Sequence, residues 1–481
     1  MSPRYDNDNL QQPEAEEDEE NLNLYELESL DSLDFGNEDA TMIPDVESNN
    51  TNHELNHFSE NQNKSTMRMA FMNMANSILG AGIIGLPFAF RNCGLLAGIV
   101  MLVVLTVLID WTLRLIIINN KLSSQKSYHD TVEFCFGKTG RMVILLAQGL
   151  FAYGGSMAFC VIIGDSIPHV LRSFFAKFVE SSKFIDVLLS RNVVIIGFTI
   201  GIAYPLSMNR DISKLAKASM FALIGMLVIV AIVTIRGPIV SSTVKVNFTT
   251  SDIIMKSSIF QGISVISFAL VCHHNTTFIY DSMKNPTLDR FTKLTHISCF
   301  ISMLACAVMG LAGFLSFKDK TKGNILNNFP SDDFAVNIAR FFFGLNMLTT
   351  LPLEIFVVRE IVKEILLPEG KVEGTNKKIV LSDRLHFIIT SLLVFSSMSV
   401  SLFTCNLGAI LELIGATSAS LMAYILPPLC YAKMIGAEKS TMQKLPAYSC
   451  AAFGFLVMGF STIQTISGAI HGTDASHCVI D

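Results

Sequence analysis

Eleven apolar stretches, each close to the length that crosses a bilayer, constrain this chain more than any other feature. A transmembrane helix needs about 20 predominantly apolar residues to span the hydrocarbon core. We number the stretches span 1 to span 11 in chain order, at residues 67–90, 94–118, 142–164, 192–208, 215–235, 257–280, 294–317, 334–358, 385–404, 406–432 and 446–470. Span 4 is short, and spans 9 and 10 are nearly fused. The pattern predicts an all-α membrane protein of about 11 transmembrane helices in a lipid bilayer.

Charge divides the chain into two unlike parts. Residues 1–66 hold 18 Asp and Glu against 2 Lys and Arg, whereas residues 67–481 carry a net charge of +10. The acidic segment has too little apolar bulk to offset the entropy of ordering, which predicts a disordered cytosolic tail. Its spaced leucines, such as Leu24, Leu27 and Leu30, also suit a docking segment for a cytosolic adaptor.

The overall composition excludes several classes of protein. Only 16% of the residues are charged and 51% are hydrophobic. A typical soluble domain carries about 25% charged residues. These values argue against a soluble enzyme and against a nucleic-acid-binding protein. No Cys-x-x-Cys spacing occurs in the chain, so no metal site is predicted.

Lys and Arg outside the spans predict the orientation, because cytosolic loops are enriched in these residues. If the amino terminus is cytosolic, the segments on that side hold 20 Lys and Arg, and those on the opposite side hold 11. The amino terminus is therefore predicted to be cytosolic. With an odd number of spans, the carboxyl terminus at Asp481 is predicted to be luminal.

Span 1 combines polar residues with residues that interrupt helices, namely Asn73, Asn76, Ser77, Gly80, Gly82, Gly85 and Pro87. An interior glycine costs about 1 kcal/mol relative to alanine, and proline lacks the N–H that a helix needs. The glycine spacing matches a dinucleotide-binding fingerprint, but no strand precedes it, so no cofactor is predicted. Non-helical backbone at membrane depth is tolerated where it lines a cavity or is buried in protein. The pattern favours an interrupted helix over the alternative, a close-packed face of small residues.

Span 6 turns polar after Cys272, at His273, His274, Asn275, Thr276 and Thr277. Such side chains are costly in hydrocarbon and normally face a pathway or pair internally. One interpretation is that they mark the cytosolic end of the helix. The apolar residues 278–280 that follow favour a second interrupted helix instead.

Spans 1 and 6 are the first members of two groups of five, spans 1–5 and spans 6–10. Anomalies at matching positions of two halves indicate an inverted-repeat transporter whose substrate binds at the breaks. Free N–H groups at an unwound helix end suit a carboxylate, and unwound carbonyls suit an ammonium group or a small cation. The predicted substrate-binding residues are Asn73, Ser77, Gly80, Gly82, Ala269, Cys272 and His273.

A resemblance to the amino acid/auxin permease family is carried by NMANSILGAGIIGLPFAF in span 1, SFALVCHHNT in span 6 and LELIGATSASLMAYILPPLCY in span 10. Within that family the chain resembles the fungal vacuolar amino-acid transporters. The resemblance covers about residues 67–470. It implies 11 spans, a cytosolic amino terminus, the LeuT-type five-plus-five fold, and secondary active transport of free amino acids. Residues 67–481 would then form the transporter domain, in the vacuolar membrane.

The same resemblance implies candidates for ion coupling. In the sodium-coupled neutral amino-acid transporters, an Asn in span 1 and a Thr before the proline of span 8 hold the ion, and the matching residues here are Asn76 and Thr350. The similar fungal members are associated with proton coupling, so H+ and Na+ both stay open. A proton needs a titrating group, and His273 and Glu412 are the predicted ones, since an unperturbed histidine titrates near pH ~6.5 and burial favours a protonated carboxyl.

Four intramembrane charges have two interpretations or a predicted partner. Glu354 is either a second protonatable coupling group or an ion-pair partner of Arg359. Glu412 is either a coupling group or an internal hydrogen-bonded tie between helices. Asp110 and Arg114 lie four residues apart on one helix face and are predicted to pair.

Two functions of different classes fit the sequence. The first is a secondary active transporter of free amino acids across the vacuolar membrane, driven by H+ or Na+. The second is a non-transporting amino-acid sensor that signals through its acidic tail. An enzyme is not predicted, because the vicinal His273 and His274 are poorly placed to share a metal and no paired acid and base accompany them.

Overall fold

The computed structural model describes residues 65–210, 219–241, 249–366, 381–435 and 441–470. The acidic tail up to residue 64 and the carboxyl terminus from residue 471 lie outside the described residues. Within the described ranges the chain is helical, apart from turns, loops and one isolated bridge between Ser65 and Met283. The predicted all-α class is confirmed.

Ten of the predicted spans form helices that are long and apolar enough to cross a membrane, and span 4 forms a shorter apolar helix at Arg191–Ser207, all within the described residues. Seven spans are single helices: span 2 at Leu95–Leu122, span 3 at Tyr128–Phe174, span 5 at Ser219–Ser241, span 7 at Leu288–Phe317, span 8 at Phe334–Leu366, span 9 at Asp383–Phe403 and span 11 at Thr441–Ile470. Spans 9 and 10 are separate, because the backbone is non-helical at Thr404 and Asn406.

The other four spans change helix type along their length. Span 1 comprises Met67–Ile78, Ala81–Gly85 and Leu86–Cys93, and span 4 comprises Arg191–Phe198, Thr199–Ala203 and Tyr204–Ser207. Span 6 comprises Ile259–Leu270, His273–Asn275 and Thr276–Ser282. Span 10 comprises Leu407–Ile414, Gly415–Ala419, Leu421–Ile425 and Leu426–Met434. The middle segments of spans 4 and 10 are wider π-type turns, whereas those of spans 1 and 6 are tighter 3-10 turns. The interruptions predicted in spans 1 and 6 are confirmed.

Spans 1 and 6 run antiparallel and are joined at both ends. Beside the start of span 1, the N–H of Ser65 donates to the carbonyl of Ser282 at 2.7 Å, and that of Lys284 donates to Ser65 at 2.9 Å. At the opposite end, the N–H of Lys256 donates to the carbonyl of Cys93 at 2.9 Å. The first half-helix of each span has 12 residues. The two interruptions therefore lie at the same depth.

Four spans form the centre of the molecule. In spans 1, 3, 6 and 10, between 61% and 78% of the most apolar segment is buried, against 33–44% in the other long spans. Apolar residues exposed on those outer spans face the hydrocarbon, where no penalty attaches to them. The two broken helices are thus enclosed by the rest of the protein, which is where irregular backbone is tolerated in a membrane.

Span 3 begins with a kink that separates its first turns from the membrane helix. Gly137 has φ +66° and ψ −166°, a conformation that glycine adopts without a steric penalty. The following helix packs along span 8 and also meets spans 6 and 10. It therefore links the broken spans to span 8.

Candidate functional site

The interruptions of spans 1 and 6 lie directly against each other. A Cβ atom built on Gly82 would lie 2.4 Å from the Cα atom of Ala269, so only glycine permits this approach. A second close approach joins spans 10 and 6, where a Cβ on Gly415 would lie 1.8 Å from the carbonyl oxygen of Ser264. Gly82 and Ala269, both predicted as site residues, are brought together as a backbone-to-backbone contact.

The break in span 1 exposes polar backbone beside open space. The first half-helix ends at Ile78, and Gly80 adopts φ −69° and ψ −148° before the 3-10 turn begins at Ala81. The N–H of Gly80 makes no hydrogen bond to the part of the chain that the structure describes. A Cβ on Gly80 would meet nothing closer than the carbonyl oxygens of Asn76 and Ser77, at 3.9 and 4.0 Å. A methyl group therefore has room at this point.

The break in span 6 has the same character. The helix ends at Leu270, Val271 is extended with ψ 117°, and Cys272 has φ −123°. A 3-10 turn over His273–Asn275 follows, and the helix resumes at Thr276–Ser282. The polar residues therefore do not mark the end of span 6, because the helix continues beyond them. Unwinding leaves carbonyl groups at the end of the first half-helix without helical partners.

One side-chain hydrogen bond joins the two breaks. The Nδ2 atom of Asn275 donates to the Oγ atom of Ser77 at 3.0 Å. Asn73, Asn76 and Ser77 lie on one face of the first half-helix, together with Gly80, since residues three, four and seven apart share a face. All are half-buried, and neither Asn73 nor Asn76 makes a side-chain hydrogen bond to a described residue. These amides are available to a ligand.

The two histidines of span 6 have different surroundings. His273 is 1% exposed, and its Nε2 atom lies 2.9 Å from the hydroxyl of Thr112 in span 2. That hydroxyl donates to the carbonyl of Leu108 at 2.9 Å, so it accepts from His273, which assigns the proton to Nε2. The ring of His274 packs on Phe151 of span 3, with 5.0 Å between ring centroids.

Glu412 forms a hydrogen-bonded tie among four spans. Its Oε1 atom accepts from Asn92 of span 1 at 3.1 Å, and its Oε2 atom accepts from Gln261 of span 6 at 3.3 Å. Thr465 of span 11 lies 3.0 Å from the same Oε2 atom. The interpretation of Glu412 as an internal tie is confirmed as geometry. Its role in coupling stays a prediction.

Thr350 hydrogen-bonds within its own helix. Its hydroxyl donates to the carbonyl of Asn346 at 2.8 Å and lies 3.2 Å from the side-chain oxygen of the same residue. Pro352 lacks an N–H, which leaves the carbonyl of Leu348 without its helical donor. Asn76 and Thr350 share no hydrogen bond within the described residues. Span 8 thus offers oxygen atoms, although the structure does not join them to Asn76.

The alternative pairing of Glu354 with Arg359 is wrong. The guanidinium of Arg359 donates instead to the carbonyls of Ser207 at 2.8 Å and Asn209 at 3.3 Å, and to Thr390 at 3.1 Å. By contrast, the predicted pair of Asp110 and Arg114 is confirmed, at 3.0 Å. Arg359 therefore holds spans 4, 8 and 9 together and leaves Glu354 without its predicted cation.

Sequence reasoning missed three residues at the breaks. Thr112 holds His273, and Phe151 packs on His274 and also lies 5.3 Å from the ring of Phe268. Thr112 and Phe151 lie in ordinary apolar segments of spans 2 and 3, and the sequence around Thr112 gives no sign of its role. For Phe151 the adjacent pair Gly154 and Gly155 was the available sign of a close helix contact.

A cavity away from the two breaks does not suit an amino acid. An apolar cavity of about 350 Å³ lies between the end of span 3 and span 4, lined by residues such as Leu171, Val194 and Phe198. It offers no partner for a carboxylate or an ammonium group. Among the described residues, no three His, Cys, Asp or Glu side chains cluster in a way that would hold a metal ion.

Comparisons with known proteins identify a family. The family described as "Transmembrane amino acid transporter protein" matches residues 63–467. The chain is 52% identical to Vacuolar amino acid transporter 2 of Saccharomyces cerevisiae over 422 residues, which cover 88% of this chain and 87% of the yeast protein. It is 32% identical to the Danio rerio protein named "Putative sodium-coupled neutral amino acid transporter 11", over 86% of this chain and 88% of that protein.

Proposed function

The chain belongs to the transmembrane amino acid transporter family, and on that premise we propose that it is a secondary active transporter of free amino acids at the vacuolar membrane. H+ or Na+ moving down its gradient drives the transport. The yeast relative is named a vacuolar amino acid transporter, which supports both the membrane and the cargo. Carriers of this family are not enzymes, and no covalent chemistry is needed here.

The observation that carries this proposal is the meeting of two broken, antiparallel helices. At that point the N–H of Gly80 makes no hydrogen bond to a described residue, and the first half-helix of span 6 ends at Leu270, where carbonyls lose their helical donors. The α-carboxylate of an amino acid binds N–H groups around Ser77–Gly82, and its ammonium group binds carbonyls near Ala269–Cys272. Asn73 and His273 are the predicted side chains of the same site. The side chain of the substrate then points toward Phe151, Phe268 and His274.

The antiparallel pairing of spans 1 and 6 supports an inverted repeat of two five-span units. Their first half-helices are equal in length, and hydrogen bonds join the start of each span to the end of the other. In such repeats, rocking one unit against the other exposes the central site to each side in turn. Alternating access of this kind moves an amino acid without a continuous pore.

Two pairs of residues are proposed for ion coupling. Asn76 and Thr350 supply neutral oxygens, which suit Na+, and the carbonyl of Leu348 adds another. His273 and Glu412 supply titrating groups, which suit H+. The name of the Danio rerio relative supports sodium, whereas a vacuolar location supports protons.

Transport by the purified protein tests this function. The full chain is reconstituted in liposomes, and a panel of labelled amino acids is offered with a proton gradient, with a sodium gradient, or with neither. We expect at least one amino acid to accumulate against its concentration when one of the two gradients is present. Accumulation with neither gradient would contradict secondary active transport.

The same preparation separates transport from sensing. A non-transporting sensor binds amino acids at the breaks but moves none of them. Saturable binding by the purified protein, combined with no flux under any gradient and no exchange at equilibrium, would replace the transporter by the sensor that signals through its amino-terminal tail. We expect binding and flux to select the same amino acids.

A further inference from the structure

Glu354 is a carboxyl group inside the membrane domain that has no hydrogen-bond partner among the described residues. It lies in span 8, two residues after Pro352 and about 18 Å of helix before Leu366. Its Oε2 atom is buried and makes no hydrogen bond to a described residue. The residue as a whole is only half-buried, so part of it other than this oxygen atom is accessible.

None of the described charged groups on the helices around Glu354 pairs with it. In span 8 itself, Arg359 is bound to spans 4 and 9, and Glu360 is paired with Lys363 at 2.8 Å. Span 3 carries no charged residue between Arg141, which pairs with Asp130, Glu133 and Glu364, and Asp165, which pairs with Arg191.

The remaining neighbours of span 8 add no partner either. In span 9, the Nε2 atom of His386 lies 3.0 Å from the carbonyl of Met208. In span 5, the cation Arg236 pairs with Asp333 at the far end of span 8, at 2.6 Å. In span 4, the hydroxyl of Tyr204 bonds to Ser391 at 2.9 Å. No described cation therefore neutralises Glu354.

Span 3 connects Glu354 to the broken helices. A Cβ atom on Gly155 would lie 3.8 Å from the Cγ atom of Glu354, so the carboxyl stem packs on the backbone of span 3 at this glycine. Phe151 lies one turn earlier on the same face and packs on His274 and Phe268 at the break of span 6. Glu354 is thus one helical turn along span 3 from the proposed substrate site.

In these surroundings, the free energy of ionising a carboxyl group depends strongly on whether water reaches it. An ionised carboxylate that loses water without gaining a donor is strongly disfavoured, whereas the neutral acid tolerates burial. Opening the surrounding helices restores water and allows ionisation. The group can therefore bind one proton on one side of the membrane and release it on the other, with no other bond made or broken.

We propose that Glu354 is the residue that carries the coupling proton, so that this transporter is driven by H+. This inference rests on the proposed function. His273 and Glu412 are the other titrating candidates named from the sequence. His273 is bound by Thr112. Glu412 is bound by Asn92, Gln261 and Thr465. Deprotonating or protonating either of them disturbs an existing tie, whereas Glu354 has none to break.

The test compares two glutamates of the same helix in liposomes that contain purified protein. Glu354→Gln keeps the shape of the side chain and removes the titrating group, and Glu360→Gln is the matched control. Three quantities are measured: accumulation driven by a proton gradient, proton movement that accompanies substrate, and counterflow of labelled amino acid at equal pH. We expect Glu354→Gln to lose the first two at least tenfold and to keep counterflow, with Glu360→Gln like the unmodified protein.

Each result decides the proposal. Proton-driven accumulation by Glu354→Gln at the level of the unmodified protein would overturn it, as would parallel loss of accumulation and counterflow in a variant that elutes as a folded protein. Accumulation by the unmodified protein that needs Na+ and ignores the proton gradient would also overturn it. If the unmodified protein transports nothing, the proposed function fails instead.

A second measurement needs no variant. Dicyclohexylcarbodiimide, an apolar reagent, modifies protonated carboxyl groups inside membranes, and peptide mass spectrometry locates the product. We expect Glu354 in the unmodified protein to react several-fold faster at pH 6 than at pH 9, and the hydrogen-bonded Glu412 to react more slowly. No modification of Glu354, or an equal rate at both pH values, would contradict the proposal.

Discussion

At the scale of single residues, the glycines of span 1 have different tasks that their spacing does not reveal. Gly82 is packed against the backbone of Ala269, and a methyl group there has nowhere to go, because the obstructing atoms belong to another helix. Gly80 faces open space and has a φ value that any residue adopts. One glycine therefore serves helix contact and the other leaves room for a ligand.

This difference predicts unequal effects of two alanine substitutions on stability. Gly82→Ala forces spans 1 and 6 apart, and overpacking of this kind costs about 1–3 kcal/mol. Gly80→Ala meets only the carbonyl oxygens of Asn76 and Ser77, at ordinary contact distances of 3.9 and 4.0 Å, and should leave the thermal transition unchanged. Melting of the purified proteins in detergent measures both, and Gly197→Ala, which has nothing within 4 Å, is the control.

Transport by the same variants separates packing from binding. We expect Gly82→Ala, and more so Gly82→Val, to abolish uptake although the protein still reaches its membrane. Gly80→Ala should weaken uptake through the affinity for substrate alone. Unaltered melting and unaltered uptake in Gly82→Ala would show that the two helices do not meet at this residue.

At the scale of elements, the broken spans are held to each other by few specific bonds. Asn275 and Ser77 provide the side-chain bond between the breaks, and backbone bonds join the ends of spans 1 and 6. The luminal halves, by the predicted orientation, are tied more extensively through Glu412. The breaks can therefore rearrange while one end of each span stays fixed.

The bond between Asn275 and Ser77 predicts a non-additive pair of substitutions. A neutral hydrogen bond contributes about 0.5–1.5 kcal/mol net, so Ser77→Ala and Asn275→Ala should each alter the KM for amino acid roughly 2–10-fold. The double variant should be no worse than the more damaged single one. Additive effects on KM would show that the two side chains act separately.

A distant pair supplies the control for that cycle. The hydroxyl of Tyr153 donates to Ser396 at 2.8 Å, between spans 3 and 9 and near the surface. Tyr153→Phe and Ser396→Ala should leave the KM unchanged, singly and together.

At the scale of the whole molecule, the two ends of the broken spans are covered to different degrees. Residues 81–87 of span 1 are all buried, and Gly323 before span 8 packs against Gly408 of span 10, with 2.5 Å between a Cβ on Gly323 and the N atom of Gly408. On the side where span 1 begins, Asn73, Asn76 and Ser77 are half-exposed. The described structure is therefore more open on the side of Met67.

The orientation of the whole molecule is a further prediction. The bias of 20 against 11 Lys and Arg puts the amino terminus in the cytosol and Asp481 in the lumen. Protease added to intact vacuoles should remove a tag at the amino terminus and spare one at the carboxyl terminus. Removal of both tags would mean an even number of crossings. Span 4 would then be the first candidate for a span that does not cross, because it is the shortest apolar helix among the described spans.

Much of the architecture follows from local properties of the sequence. Apolar length alone predicts the helices, because a spanning segment must satisfy its backbone internally and present apolar side chains to lipid. The breaks of spans 1 and 6 were also predictable, since glycine, proline and clustered polar residues weaken a helix wherever they occur. Their matching positions in two groups of five spans indicated a repeated unit, and the resemblance added the family.

The surroundings of each site residue were decided by tertiary structure. The sequence shows that Glu354, Glu412 and His273 are costly in a membrane, but it does not show which of them finds a partner. Glu412 gains donors from three other spans, His273 gains Thr112, and Glu354 gains none, while its expected partner Arg359 turns to spans 4 and 9. Hydrogen bonds between residues far apart in the chain depend on how helices pack, and no local pattern encodes that packing.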